Sequence, residues 1–263
     1  LEFGRQTLDV LRSVRVPALV FKGADLALRC YPEKYLRPIK DVDLMIPREL
    51  LAPALRELGR AGYRRLDSQL GHRLPLGHSD SEAKVVLYSK IFDGDAESDS
   101  AEIWDRARSQ VERGGKHPLD PVSGHLLYPC SEDGLVVLFQ AMVESVGPSS
   151  PLFLTDLHYW IMQEKGLDWD RLLFLLHRRK LEASGWFFLS WIHNEYNTDI
   201  PESVLSVLSR RVSAKRDQAN RWSQVDHLFP ANPQGSNYRT DFVRFLTSGR
   251  TAPLLRRINP VRW

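Results

Sequence analysis

Only two cysteines, Cys30 and Cys130, occur among the 263 residues. Two is too few for a disulfide framework or a thiolate zinc site, and both lie among apolar or aromatic neighbours, so free thiols are expected. No apolar run approaches the roughly 20 residues needed to cross a bilayer. A basic stretch followed by an apolar core and a small-residue cleavage site is also missing, so a cytoplasmic protein with no membrane partner is expected. There is little excess of either charge: 36 basic against 33 acidic residues leave +3. Any affinity for phosphate or nucleic acid must therefore come from local clustering. The histidines show no pair at His-Glu-x-x-His or other metal-ligand spacing, and neither a Gly-x-Ser-x-Gly elbow nor a Gly-x4-Gly-Lys-Ser/Thr loop is present. Hydrolase and P-loop chemistry are disfavoured on those grounds.

What the chain does have is concentrated in residues 18–46, ALVFKGADLALRCYPEKYLRPIKDVDLMI. A short apolar strand runs into Lys22-Gly23, a helix follows, and a loop carrying Arg37 leads to a second strand with Asp41 and Asp43. Alternate residues of a strand share a face. Asp41 and Asp43 therefore project together, while Val42, Leu44 and Ile46 point into a core. Paired carboxylates repel, and they persist only where cations, hydrogen bonds or water offset the repulsion. A solvated strand edge is the plain alternative, disfavoured by the wholly apolar opposite face and the Lys-Gly turn nearby.

Around this stretch the periodicity alternates between strand and helix. A helix is expected over residues 1–14, a strand over 18–21, a helix over 24–30 and a strand over 42–46. Pro47 can open a helix carrying Leu51, Leu55 and Leu58. Strands are expected at 63–66, 72–76 and 84–92, the last rich in β-branched and aromatic residues. The acidic run 93–100 lacks the glycine and terminal glutamate of a calcium loop and reads as a solvated connector. A short helix around Trp104 and a polar loop at 114–123 follow. Beyond them Ser131 is a candidate N-cap for a strongly apolar helix, and further helices are expected at 152–165, 168–180, 182–196 and 201–211. This gives an α/β part over residues 1–120 and a helical part over 121–263 that ends in a basic tail.

The runs FKGADLAL, then YP, then RPIKDVDLMI, with LVVLFQAMVES, LFLTDLHYWI and GLDWDRL downstream, resemble the uncharacterised nucleotidyltransferase family of the DNA polymerase β-like superfamily. The resemblance spans residues 16–201. It implies an α+β fold in which a polymerase β-like mixed sheet, flanked by helices, is followed by an all-helical C-terminal domain. It also implies a nucleoside triphosphate site dependent on Mg²⁺ or Mn²⁺. Residue types agree: Gly23 permits close backbone approach to phosphate, Lys22 supplies a point charge and Arg37 a planar fork. Asp41 and Asp43 are the expected metal ligands and catalytic residues. The bland alternatives are a lysine snorkelling off a strand end and an arginine in a salt bridge.

One departure divides the functional reading. Enzymes of the superfamily place a third carboxylate on a neighbouring strand, and this family typically follows it with an apolar residue, His and Trp. The best match here is Val86-Leu87-Tyr88-Ser89, so Val86 stands where the acid belongs and Tyr88 where the histidine does. Asp93 is about 23 Å further along an extended strand and Glu82 about 13 Å before, too far and doubtful respectively. Asp25, after Gly23, is the remaining candidate by chain proximity. The expectation is thus a metal-dependent nucleotidyltransferase moving a nucleoside monophosphate from an NTP to a hydroxyl-bearing acceptor, whether small molecule, peptide or RNA. A catalytically degenerate binding or scaffolding protein is the alternative. A toxin-type transferase acting on tRNA is a third, suggested by Arg210, Arg211, Lys215, Arg216, Arg221 and later arginines interleaved with Trp222 and Trp263. His158, beside Asp156, is a lesser candidate for the cleft, with a core or surface role favoured.

Overall fold

A computed structural model describes residues 2–66, 73–91, 97–112, 117, 126–144 and 151–216. In order the elements are α1 (Glu2–Ser13), β1 (Ala18–Phe21), α2 (Gly23–Arg29), β2 (Asp41–Met45), α3 (Leu51–Arg60), β3 (Tyr63–Arg65), β4 (Arg73–His78) and β5 (Ser81–Tyr88). They continue with α4 (Glu97–Glu112), β6 (Leu126–Leu127), α5 (Ser131–Glu144), α6 (Pro151–Gln163), α7 (Trp169–Arg178), α8 (Glu182–Tyr196) and α9 (Glu202–Arg216). The fold is α+β, as expected: one mixed sheet with helices, then helices alone. Two compact units form, Leu1–Val137 with Tyr159–Leu167 and Leu138–His158 with Asp168–Trp263.

In the first unit the sheet order is β3-β4-β5-β2-β1-β6. The β2–β5 and β1–β6 pairs are parallel, and β1–β2, β4–β5 and β3–β4 are antiparallel. Strand alternation decides which face is dry. Val42, Leu44 and Ile46 join Val20, Val85, Leu87, Leu74 and Leu76 in one buried cluster with Leu8 and Leu11 of α1 and Ala54 and Leu58 of α3. The opposite face carries Asp41 and Asp43.

Several expectations shift in detail. Pro47 caps a short 3-10 turn, Arg48–Leu50, before α3 begins. Strand β5 starts earlier than expected and stops at Tyr88. Residues 97–100 of the acidic run belong to α4, because a helix start accommodates carboxylates; residues 92–96 lie outside the described residues. So do 67–72, nearly all of the loop at 114–123, and the tail beyond 216. Helix α5 begins at Ser131 itself, so the cap position falls to Cys130, whose carbonyl accepts from Gly134 N–H at 2.9 Å. A Cβ on Gly134 would overlap the Trp160 ring, which explains a glycine inside that helix. Both cysteines are free, Cys30 buried and Cys130 half-buried. Burial and the adjacent Asp133 push the Cys130 thiol up to about 12.

A buried ion cluster fastens α2 to the rest of this unit. Asp25 is fully buried and accepts from Arg29 Nε at 2.5 Å and Nη2 at 2.8 Å. His117 Nε2 lies 3.3 Å from the same carboxylate, and the Arg29 guanidinium sits against the rings of Tyr128 (4.5 Å) and Trp160 (5.4 Å). Burial by itself would raise the Asp25 carboxyl, but Arg29 and His117 outweigh it and hold it below the usual range.

In the second unit Asp168 caps α7 by accepting from Arg171 N–H at 2.9 Å. Buried Glu182 is met by His177 Nδ1 at 2.7 Å and by Arg211 at 3.7 Å. Arg211, one of the basic residues noted for nucleic acid, is thus engaged in packing α9. His158 Nδ1 lies 2.8 Å from Thr198 Oγ1, and burial lowers its pKa, in line with the structural role favoured from sequence.

Removing Asp25 strands a buried guanidinium, so Asp25→Ala should cost about 3–5 kcal/mol, read as a lower urea midpoint. Because the folded carboxyl lies below its unfolded value, the wild-type contribution is present above about pH 4 and is lost as pH falls further.

Candidate functional site

The site begins where β1 turns into α2. Lys22 caps α2 with φ 56 and ψ −133, a backbone conformation that suits glycine rather than a residue with a Cβ. Such geometry costs on the order of 1–3 kcal/mol and survives only where surroundings fix it. They do so here through the side chain. The Lys22 ammonium donates to the Tyr88 hydroxyl at 2.8 Å and lies 3.6 Å from Asp43 Oδ1. It also sits 4.4 Å from the centroid of the Tyr88 ring and 5.1 Å from that of Phe21.

Asp43 is the acid around which these groups gather. It is only 5% exposed. The Tyr88 hydroxyl, accepting from Lys22, donates to the Asp43 carboxylate. Burial raises the Asp43 carboxyl above its ordinary value and the nearby Asp41 adds to that; Lys22, Tyr88 and Arg73 pull it back only in part. The magnitudes explain the sign. An ion pair at 4 Å gains about 4 kcal/mol at an effective dielectric near 20, while burial costs several kcal/mol per ion. The Tyr88 hydroxyl is held protonated by burial and by the carboxylate it serves.

Register places the remaining residues. Asp41 pairs with Lys84, Asp43 with Val86 and Met45 with Tyr88 across the parallel β2–β5 ladder. On the far side of β5, Arg73 pairs with Tyr88 and Pro75 with Val86. Asp41 and Asp43 do share one face, Asp41 half-buried and Asp43 buried. Val86 stands directly beside Asp43 on that face. Asp25 is no substitute for the missing acid, since its carboxylate is committed to Arg29 and His117. Glu82 lies on β5 beyond the last β2 partner, and Asp93 is outside the described residues. Among the described residues no three His, Cys, Asp or Glu side chains gather as metal ligands. Two neighbouring carboxylates nevertheless suit Mg²⁺, which typically takes one or two plus water and substrate phosphates.

Gly23 and Arg37 also come together. A Cβ built on Gly23 would lie 2.9 Å from one terminal nitrogen of Arg37 and 3.3 Å from its Cζ, so the guanidinium rests against bare backbone. The same nitrogen donates to the Pro38 carbonyl at 2.7 Å. The structure thus groups Lys22 with Asp43 and Gly23 with Arg37, at adjoining positions of one turn. Sequence reasoning noted Tyr88 only as a replacement, and it missed Arg73, whose Cζ lies 5.8 Å from the Tyr88 ring centroid. The signal for Tyr88 was its spacing of two from Val86; Arg73 needed the β4–β5 register. A separate cleft of about 590 Å³ is lined by Pro47, Ser89, Lys90, Ser100 and Trp104 among others, and by neither aspartate of the pair.

A family model described as an uncharacterised nucleotidyltransferase matches residues 5–197. The chain belongs to this family. The match takes in the whole described sheet and the helices through α8. No curated protein is significantly similar to the chain. Among solved structures, the solution structure of the antibiotic-resistance factor ANT(2″)-Ia is 14% identical, covering 73% of this chain and 94% of that one, with a TM-score of 0.47. A crystal structure of ANT(2″)-Ia in complex with adenylyl-2″-tobramycin is 14% identical over 64% of this chain and 90% of that one, with a TM-score of 0.44. Likenesses this distant do not bear on the roles of individual residues.

Two outcomes follow from the geometry. Gly23→Ala should displace the flexible end of Arg37 rather than the backbone, changing stability by less than about 1 kcal/mol, read as a urea midpoint close to that of the wild type. Asp43 has a folded pKa above its unfolded one, so its ionisation costs stability as pH rises through the folded value. Asp43→Asn should therefore raise stability at pH 8 by on the order of 1 kcal/mol, read as a higher melting temperature, with the gain vanishing below about pH 4.

Proposed function

We propose that this chain is a metal-dependent nucleotidyltransferase that moves a nucleoside monophosphate from an NTP to a hydroxyl-bearing acceptor and releases pyrophosphate. The observation that carries it is the meeting of Asp43 with Lys22 at the β1–α2 turn, with Asp41 on the same face of β2, within a chain of the nucleotidyltransferase family. Asp41 and Asp43 hold the divalent ion, Mg²⁺ or Mn²⁺. When bound, that ion supplies Lewis-acid charge at the phosphate oxygens. Arg37 offers its planar fork to the triphosphate beside the uncrowded backbone of Gly23, and Lys22 adds a fixed positive charge. The acceptor oxygen attacks the α-phosphorus, the bond to the β-phosphate oxygen breaks, and pyrophosphate leaves with that electron pair. The acceptor's hydroxyl proton passes to solvent, since Asp41 and Asp43 are both engaged with the ion.

In this proposal the α/β part over residues 1–120 binds the nucleotide, the helical part over 121–263 follows it, and the setting is cytoplasmic. The acceptor is a small molecule, a peptide or an RNA. For an RNA, the basic residues beyond 216 lie outside the described residues, and Arg211 is occupied with Glu182 and the Leu173 carbonyl.

A second reading has its own support. Val86 beside Asp43 removes the carboxylate that activates the nucleophile in related enzymes, which favours a nucleotide-binding protein without turnover. One set of measurements addresses both. The double substitution Asp41→Asn with Asp43→Asn should abolish Mg²⁺-dependent NTP binding in calorimetry with the circular dichroism spectrum unchanged; undiminished binding would sink the proposal. Pyrophosphate release by the wild type, with each NTP and a panel of hydroxyl acceptors, excludes the second reading.

A further inference from the structure

We infer that the site holds a single divalent cation and that the Lys22 ammonium stands in the place of a second. This deepens the nucleotidyltransferase reading and rests on it. Two-metal transferases seat their ions about 3.5–4 Å apart, each bridged to carboxylates that flank it. Here the neighbour of Asp43 on β5 is Val86, which offers no ligand. On β1 the neighbour is Phe21, and the residue following it delivers a cation. The Lys22 ammonium lies 3.6 Å from Asp43 Oδ1, is fixed by the Tyr88 hydroxyl at 2.8 Å, and is flanked by the rings of Phe21 and Tyr88. Its side chain is 22% exposed, so the charge is largely withdrawn from water.

Three features make this a replacement rather than an incidental salt bridge. The ammonium holds this position on a residue with a glycine-like backbone, with φ 56. It meets the buried acid of the pair, whereas Asp41 stays half-buried. Around it lie one carboxylate oxygen, one hydroxyl and two aromatic rings, a poor match to the octahedron of oxygens at about 2.0–2.1 Å that Mg²⁺ demands. The remaining lone pairs of Asp43, together with Asp41, are left for one ion carried in by the triphosphate. Tyr88 then acts as a positioning residue, holding the ammonium and the carboxylate in one hydrogen-bonded chain.

The test is a Mn²⁺ titration followed by electron paramagnetic resonance, using the full chain saturated with α,β-methylene analogues of ATP, CTP, GTP and UTP in turn. Nucleotide occupancy is measured in parallel by calorimetry. The expected result is one Mn²⁺ per bound nucleotide, with no spin-coupled pair. Substituting Lys22→Ala together with Val86→Asp should raise the count to two and bring in the coupled signal, at unchanged circular dichroism. Two ions in the wild type overturn the inference while leaving the transferase reading in place. A nucleotide bound without any Mn²⁺, or no nucleotide bound at all, overturns both. The wild-type count decides the matter even if the double variant does not fold.

Discussion

A carboxylate taken out of water beside another carboxylate is the constraint on which this molecule's candidate site depends. Asp43 is buried and faces the repulsion of Asp41 on the same face of β2. Left unmatched, such a group would protonate or distort the strand. The compensation comes from three different elements: Lys22 from the β1–α2 turn, Tyr88 from the end of β5 and Arg73 from β4. The compensation is incomplete, since the carboxyl still binds its proton more tightly than in water. An acid in that condition is poorly suited to stabilising a fold, and in the proposed reading a divalent cation completes its compensation.

The support for this arrangement is polar as well as apolar. Beneath the sheet, α1 and α3 bury an aliphatic cluster that sets strand register. At the end of α2, Arg29 lies against Tyr128 and Trp160 while gripping Asp25. Asp25 and Asp43, both buried in this unit, are thus treated in opposite ways. Asp25 has enough positive charge around it to stay ionised below the ordinary range, whereas Asp43 does not. The difference lies in the charge around each group and not in burial, because both are almost wholly enclosed.

Much of this was legible in the residues. The alternation of Asp41, Val42, Asp43, Leu44 and Ile46 assigned faces correctly because the period of a strand leaves no freedom. The Lys-Gly step marked a turn, and Asp168 marked a helix start, for equally local reasons. The absent acid at Val86 was read from pattern, and the β2–β5 register puts that residue beside Asp43. Long-range pairing was not legible. Asp25 was close to the site along the chain, yet its partner His117 comes from 92 residues away in sequence, and no local signal points there. Strand β6, two residues long, is too short to show a period. The extent of α4 was underestimated because acidic, serine-rich residues read equally well as a connector or as a first helical turn.

The parallel pairing of β1 with β6 also bears on how the molecule comes into being. The turn holding Lys22 and Gly23 follows directly from β1, whose outer edge is closed by Leu126 and Leu127. Helix α2, leading away from that turn, is fastened by His117 and by the Pro129 carbonyl, which accepts from Arg29 at 3.5 Å. On a ribosome the lysine is therefore synthesised long before the groups that brace it. A nascent chain must carry a strained turn and a half-paired strand until Leu126 and Leu127 have emerged, and contacts of such high sequence separation form late.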